Sequence, residues 1–239
     1  MNKTINIENT VFTDIFYGKG TEISSADILE ITELDLSIYA LHDKDMEILK
    51  EFKNIKYLGI ESREPDLSYL KFFPLLESLQ IEYPYAPFNI ESVCHLTELR
   101  DLWISGGSIS NMEIIHTEVL TKLTKLEYLG FHEFGTVDLS FLKHLPRLRS
   151  FFCGYANKVY NIESIKHLTA LEDLNLVDID INNLDFLGYI PEKAFVELCE
   201  IRLTEKLSLE ILKRFSKTDV SEIYDKDNNT LVNTLGEYI

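Results

Sequence analysis

Histidines and cysteines are the side chains of this sequence best suited to bind a metal ion. His95, His144 and His167 occupy one position of a repeating pattern, each directly before a leucine. A zinc site needs several Cys, His, Asp or Glu ligands that converge on one point. Because no Cys or carboxylate recurs in the same column, we interpret these histidines as repeat residues and predict no metal and no cofactor.

Nucleophilic catalysis would require a nucleophile beside a base. Cys94, Cys153 and Cys199 form no evident pair with a histidine. The sequence also lacks a Gly-rich phosphate loop, Gly-x-Ser-x-Gly, His-Glu-x-x-His and Cys-x-x-Cys. We therefore expect no enzyme activity. The alternative is a hydrolase or metal-dependent enzyme that uses His132 and the carboxylates near it.

The composition is that of a folded, strongly acidic protein. The chain has 239 residues, 40 Asp and Glu against 23 Lys and Arg, a formal charge of −17 and 45% apolar residues. This apolar content can bury a core, which argues against disorder. The negative charge argues against direct binding of nucleic acid or an anionic membrane, so we expect a basic partner.

The cysteine count and the first residues favour a cytoplasmic location. Three cysteines cannot all pair and are too few for a disulfide scaffold. The chain starts without the basic and apolar segments of a signal peptide, and it has no apolar run of membrane-spanning length.

The elements that would position these side chains follow from a recurring hexad, apolar-x-x-apolar-x-apolar. The hexads start at Ile31, Ile55, Leu76, Leu99, Leu126, Leu148, Leu171 and Leu198. The intervals between the starts are 24, 21, 23, 27, 22, 23 and 27 residues. Self-similarity at this period is the signature of a repeat architecture.

A second motif begins ten residues before five of these hexads with an Asp or Asn followed by an apolar residue. Its first residues are Asp45, Asp66, Asn89, Asp138 and Asn161. Side chains of this type accept hydrogen bonds from backbone N–H groups, so we expect each to cap a short helical turn.

With both motifs in phase, residues 28–204 resemble the leucine-rich repeat family, closest to its bacterial internalin-like and SDS22-like classes. The resemblance implies an α/β fold: a leucine-rich repeat solenoid of about eight repeats, with a curved parallel β-sheet on its concave face and short helices or 3₁₀ turns on its convex face. The family usually has Asn about three positions after the last strand leucine, and its absence here predicts irregular turns. The residues at this position are Pro84, Gly107, Phe134, Ala156 and Ile179.

The ends of a solenoid must cover its core. We expect an N-terminal cap over residues 1–27 and a C-terminal cap over 205–239, the latter with a helix at 208–217 followed by a hairpin. Inside the array, the apolar spacing of 113–123 predicts an amphipathic helix, and Pro191 suits the start of another.

Strand side chains alternate between two faces, so the residues between the hexad's apolar positions should form three columns on the concave face. Trp103 and Phe152 then stand about 10 Å apart, with a slot above Gly130. In the last repeat the columns would hold Glu200, Arg202 and Thr204. The predicted partner-binding residues are Tyr57, Glu61, Glu82, Asp101, Trp103, Tyr128, His132, Phe152 and Asp173.

An aromatic centre surrounded by carboxylates suits Lys and Arg side chains of a protein partner. We therefore predict a non-enzymatic interaction module for a basic protein, with an immunity or inhibitor protein as the narrower reading. Two other interpretations stay open. A cap that folds over the face would make both rings part of a lid, and a mimic of nucleic-acid charge would bind without aromatic anchors.

Overall fold

The fold consists mainly of repeated parallel strands. The structure is a computed structural model that describes residues 3–36, 41–61, 67–82, 87–106, 113–205, 209–215, 218–225, 227 and 230–232. The strands within these residues are β1 (Thr4–Asn6), β2 (Glu22–Ser24), β3 (Glu33–Leu36), β4 (Tyr57–Glu61), β5 (Ser78–Glu82), β6 (Phe88–Asn89), β7 (Asp101–Ser105), β8 (Ile114–Ile115), β9 (Tyr128–Asp138), β10 (Ser150–Tyr160), β11 (Asp173–Ile181), β12 (Phe195–Leu203), β13 (Thr218–Tyr224) and β14 (Thr230–Val232).

Helices are short. The α-helices in the described segments are α1 (Phe12–Ile15), α2 (Ser25–Leu29) and α3 (Asp43–Leu49). The 3₁₀ helices in the same segments are Ser68–Phe72, Glu91–His95, Thr117–Lys122, Ser140–His144, Ile162–His167, Asp185–Tyr189 and Leu209–Arg214.

Ten of the strands form one sheet in the order β3-β4-β5-β7-β9-β10-β11-β12-β13-β14. Neighbouring strands run parallel, except that β14 runs antiparallel to β13. The middle apolar residues of successive hexads lie opposite one another, as with Leu58 and Leu79, and Leu102 and Leu129. These residues are almost fully buried. The predicted solenoid of strands and short turns is confirmed.

The eighth hexad does not start at Leu198. Val196 lies opposite Leu174, and Leu198 lies opposite Leu176. Position 193, a lysine, therefore takes the place of the first apolar residue, 22 residues after Leu171. The outward positions of this repeat are thus Phe195, Glu197 and Cys199, and the prediction of Glu200, Arg202 and Thr204 was wrong.

That error has its cause in a column of left-handed residues that crosses the second half of the sheet. The column has φ angles of +48° to +56° and consists of Glu133, Tyr155, Asp178, Glu200 and Glu222. A single left-handed residue shifts the alternation of the strand, so the residue after it turns back into the core. The buried residues that follow are Phe134, Ala156, Ile179, Ile201 and Ile223.

These buried residues occupy the position where the leucine-rich repeat pattern has Asn. From β9 onward the strands continue through it with a local irregularity instead of ending in a turn. In β12 this restarts the apolar spacing at Leu198, Ile201 and Leu203, which imitates a hexad. Pro84 and Gly107 lie outside the described residues.

We expect a β-branched residue in the left-handed column to be costly. Replacement of exposed Glu200 by Val should lower the free energy of unfolding by about 1–2 kcal/mol, because a branched Cβ crowds the backbone at positive φ. Replacement by Gly should leave stability equal or slightly higher. Urea denaturation of the two variants and the wild type measures the difference, and equal losses for Val and Gly would contradict it.

The apolar spacing of 113–123 predicted one amphipathic helix, but the helix in this segment is shorter. That segment contains β8 and then the 3₁₀ helix Thr117–Lys122. His116 between them is left-handed, with φ of +63°, which prevents one continuous α-helix. After Pro191, a turn closed by the hydrogen bond from Ala194 N to Pro191 O leads directly into β12.

The Asp and Asn motif residues act as caps in two of the described repeats. Asn89 Oδ1 accepts a hydrogen bond from Glu91 N at 2.8 Å, and Asp138 Oδ1 accepts one from Ser140 N at 2.7 Å. Asn161 is itself left-handed and donates to Asp138 Oδ1 at 2.9 Å. Asp66 lies outside the described residues.

Asp45 joins the first residues of the chain to the array. It lies inside α3 and is 2% exposed. Its Oδ1 accepts a hydrogen bond from Val11 N at 2.9 Å, and its Oδ2 accepts one from His42 N at 2.8 Å. Phe12 stacks on Phe52 at 5.1 Å between ring centroids. The first residues of the chain therefore contact the array through apolar side chains as well as through Asp45.

The two ends of the sheet differ. β1 and β2 form a separate antiparallel pair, whereas β13 continues the parallel sheet and β14 pairs back onto it. Within 208–217, where we expected a helix, the described segment is the 3₁₀ helix Leu209–Arg214. The division of the chain at residues 27 and 204 stays a prediction.

Candidate protein-binding face

Outward side chains at the start of each strand of the large sheet form the three columns of the concave face. Trp103, Gly130 and Phe152 lie opposite one another in the central column, on β7, β9 and β10. None of the outward positions that the structure describes in these columns, from residue 33 to residue 221, is a Lys or Arg. The carboxylates in the columns are Glu33, Asp35, Glu61, Glu82, Asp101, Asp173, Glu197 and Asp219.

Four aromatic side chains, which we call the aromatic cluster, touch one another at the centre of this face. The centroid of the Trp103 ring lies 5.2 Å from that of Phe152 and 6.0 Å from that of His132. His132 lies 5.9 Å from Phe152 and meets Tyr155 edge-on at 5.1 Å. Trp103, His132 and Phe152 are half-buried, and they lie outside the buried core.

The predicted slot above Gly130 is filled. A Cβ atom at Gly130 would lie 2.1 Å from Trp103 Cε3, so the indole occupies the space that a side chain would take. Gly154 likewise accommodates the tip of Phe152, with 2.8 Å between a Cβ there and Phe152 Cζ. The two rings therefore meet at 5.2 Å instead of standing about 10 Å apart, because glycines let them fold down onto the sheet.

Tyr128 lies next to the aromatic cluster in the first column, between Asp101 and Ser150. It is 46% exposed, more than the half-buried rings of Trp103 and Phe152. Ser105 Oγ lies 3.2 Å from His132 Nδ1, and this contact holds the imidazole on the face.

On the β3 side of the cluster, carboxylates surround Tyr57. Burial raises the pKa of Tyr57, and the negative charges of Asp35, Asp101 and Glu82 raise it further. Its hydroxyl donates to Gln80 Oε1 at 3.3 Å, and Gln80 Nε2 donates to Glu82 at 2.6 Å. Burial also raises the pKa of Asp101. Glu61 lies opposite Glu82 in the third column.

A second acidic group lies on the opposite side of the cluster, on β11 to β13. Asp173 Oδ1 accepts a hydrogen bond from Asn175 Nδ2 at 3.0 Å. Burial raises the pKa of Glu197, as do the charges of Asp219 and Asp173. The aromatic cluster is therefore flanked by negative charge in both directions across the strands.

The cations near the face are paired in a ladder at the position just before each strand of the large sheet from β4 to β11. Lys56 Nζ lies 2.7 Å from Glu77, and Arg100 Nη1 lies 2.5 Å from Glu127. Arg149 approaches Glu127 at 4.0 Å and Glu172 at 2.7 Å. This charge ladder alternates in sign and keeps its cations at the edge of the face.

Known proteins of similar sequence and structure contain leucine-rich repeats. The human leucine-rich repeat-containing protein 56 is 27% identical over 105 residues, which are 44% of this chain and only 17% of the human protein. Internalin C2 of Listeria monocytogenes superposes with a TM-score of 0.64 at 16% identity and covers 84% of this chain and 85% of its own. A leucine-rich repeat protein of Leptospira interrogans gives 0.60 at 12% identity over 84% and 57%. No family model matches the sequence.

The fold is a leucine-rich repeat solenoid. At these identities the likeness establishes the architecture alone, and the predicted resemblance is confirmed at that level. Leucine-rich repeat solenoids commonly mediate protein–protein interaction and are generally not enzymes.

The cysteines and histidines that could take part in catalysis or bind a metal lie on separate parts of the described solenoid. Burial raises the pKa of the Cys153 thiol to about 12, which keeps it protonated. His95, His144 and His167 end three of the 3₁₀ helices on the convex side, and the 3₁₀ helix Thr117–Lys122 separates the first of these from the other two. Across the described part of the chain, no group of three or more His, Cys, Asp or Glu is placed to hold a metal ion.

Sequence reasoning missed three residues of the site. Glu197 and Asp219 were missed because the phase of the last repeat was misassigned. Tyr155 was missed because it follows the third column. The apolar residue after it, Ala156, was a usable signal, since an apolar residue in place of Asn requires the chain to turn inward again.

None of the helices in the described residues has the length and apolar character needed to cross a lipid bilayer.

Trp103 is the single tryptophan of the solenoid, so its fluorescence reports on this face. With each quenching constant divided by that of free N-acetyltryptophanamide, we expect Cs⁺ to quench its emission about threefold more strongly than iodide at low ionic strength, because the flanking carboxylates concentrate cations. The difference should vanish near 1 M salt, where the Debye length is about 3 Å.

A pair of matched variants separates this local effect from the overall charge of −17. Asp101→Asn with Asp173→Asn should reduce the Cs⁺ to iodide ratio. Glu91→Gln with Glu163→Gln changes the same charge on convex 3₁₀ helices and should leave it unchanged. Equal effects of the two pairs would contradict a local acidic field around Trp103.

Proposed function

We propose that this solenoid is a non-enzymatic binding module that holds a basic protein partner on its concave face. The rings of Trp103, His132 and Phe152 on this face supply anchors, and the carboxylates on both sides attract Lys and Arg side chains. The observation that carries the proposal is the combination of exposed aromatic surface with a complete lack of cations at the described positions of the three columns. Aromatic anchors dominate the energetics of protein interfaces, and complementary charge accelerates association.

Each predicted contact residue has a role in this proposal. Trp103, His132, Phe152 and Tyr128 provide ring surface, onto which a guanidinium or an aliphatic side chain packs. Glu61, Glu82, Asp101 and Asp173 steer the partner, and Tyr57 lies within the first acidic group. The immunity or inhibitor role remains the narrower reading, which rests on charge and size.

A short basic and aromatic peptide, acetyl-Arg-Phe-Arg-Phe-Arg-Phe-amide, is a suitable probe. Phenylalanine does not interfere with tryptophan emission, so the peptide can be titrated while Trp103 fluorescence is followed and the affinity is then checked by calorimetry. We expect saturable binding that weakens as salt is raised.

Truncation of an anchor should reduce the affinity for this peptide about tenfold or more, with Phe152→Ala as the variant. Tyr189→Ala is the matched control, since Tyr189 is 69% exposed on a convex 3₁₀ helix. Binding that falls with salt but tolerates Phe152→Ala would favour charge mimicry instead. No saturable binding by the wild type would overturn the proposal.

A further inference from the structure

The left-handed column follows directly after the third column of the concave face and forms a rim beyond it. Glu133, Asp178, Glu200 and Glu222 occupy four of its positions, and Tyr155 on β10 occupies the second, between Glu133 and Asp178. We call these five residues the strand rim. A left-handed backbone is most easily adopted by Gly or Asn, so a tyrosine there carries a conformational cost.

Tyr155 extends the aromatic cluster from the concave face onto the strand rim. Its ring meets His132 edge-on at 5.1 Å, and His132 contacts Trp103 and Phe152 in turn. The side chain nevertheless remains 47% exposed. A residue that served only to cover His132 would not need to leave so much ring surface open to solvent.

The two rim neighbours of Tyr155 differ in their ion pairing. On β11, Asp178 accepts a hydrogen bond from Arg202 Nη2 at 2.7 Å, and Arg202 also pairs with Asp180. On β9, Glu133 is half-buried beside the His132 position. A cation that approaches Tyr155 therefore meets the Glu133 carboxylate on one side and, on the other, two carboxylates that share the single guanidinium of Arg202.

We propose that Tyr155 is a rim anchor for the partner, so that the interface turns from the concave face over the ends of the strands. This inference rests on the proposed function. The partner element that fits is a basic segment with an aromatic or long aliphatic residue, which packs against Tyr155 while its neighbouring Lys or Arg faces Glu133.

The variant Tyr155→Glu tests the inference without disturbing the backbone. Glutamate already occupies the equivalent position at Glu133, Glu200 and Glu222, so the fold accepts it there. The change removes the ring but adds a negative charge. If only charge mattered, acetyl-Arg-Phe-Arg-Phe-Arg-Phe-amide would bind more tightly.

We expect Tyr155→Glu to weaken calorimetric binding of this peptide about fivefold or more, and Tyr155→Phe to keep it within about twofold. Tyr189→Glu, with the same change at an exposed tyrosine elsewhere, should not weaken binding. If Phe152→Ala loses affinity while Tyr155→Glu equals or exceeds the wild type, the rim anchor is wrong and the proposed function stands. If neither variant loses affinity, or the wild type does not bind, both are overturned.

Discussion

Replacement of Gly130 by alanine is expected to displace the Trp103 ring from the concave face. The new Cβ would lie 2.1 Å from Cε3 and 2.3 Å from Cζ3 of the indole, closer than any real contact. The side chain must therefore leave its position over the strand. We expect red-shifted emission from this single tryptophan, and about tenfold or more weaker binding of the basic peptide.

The stability of this variant reflects two opposing terms. Alanine in a strand gains about 0.5–1 kcal/mol over glycine in backbone entropy. Overpacking against a ring costs about 1–3 kcal/mol. We expect a net loss of about 1 kcal/mol in urea denaturation.

Gly188→Ala is the control for Gly130→Ala, because the nearest atom to a Cβ there lies at 3.4 Å, an ordinary contact distance. It should change neither the emission nor the peptide affinity. Unchanged emission in Gly130→Ala would show that the indole does not rest on that glycine.

Replacement of Asp45 by alanine should lower the free energy of unfolding by about 2 kcal/mol or more. The buried carboxylate accepts hydrogen bonds from Val11 N and His42 N, and its loss leaves both donors without their partner. Because one of these bonds reaches from α3 to the first residues of the chain, hydrogen exchange at Val11 should accelerate together with the loss of stability.

Asp45→Asn retains one acceptor oxygen and should lie between alanine and the wild type. Glu47→Ala, in the same helix but exposed, should cost far less despite the loss of its pairing with Lys50. If Asp45→Ala and Glu47→Ala were equally mild, the connection through Asp45 would carry little of the stability.

The residues of each hexad that face the core could be predicted because the same apolar pattern occurs independently in every hexad. A one-residue slip would have placed Leu79 and Leu102 in solvent, and both are buried. The predicted phase was wrong in the last repeat. Lys193 interrupts the apolar pattern there, and the left-handed Glu200 shifts the alternation so that the following apolar residues resemble a new hexad.

Side-chain arrangement was much less accessible to sequence reasoning. The position of Trp103 on the outward column followed from the phase, but its fold onto Gly130 depends on a rotamer choice that alternation does not encode. The contact of Tyr155 with His132 likewise requires the left-handed backbone, which the sequence signals only indirectly, through the apolar Ala156 that follows. The partner-binding role of these residues stays a prediction that the peptide titrations test.

The charge ladder before the strands restricts how this array can change in length. Lys56, Glu77, Arg100, Glu127, Arg149 and Glu172 alternate in sign, one side chain per repeat. Excision of a single repeat would bring Lys56 beside Arg100, or Glu77 beside Glu127, whereas excision of two adjacent repeats restores opposite neighbours. A change of length by two repeats therefore preserves the alternation of charge along this edge, whereas a change by one repeat does not.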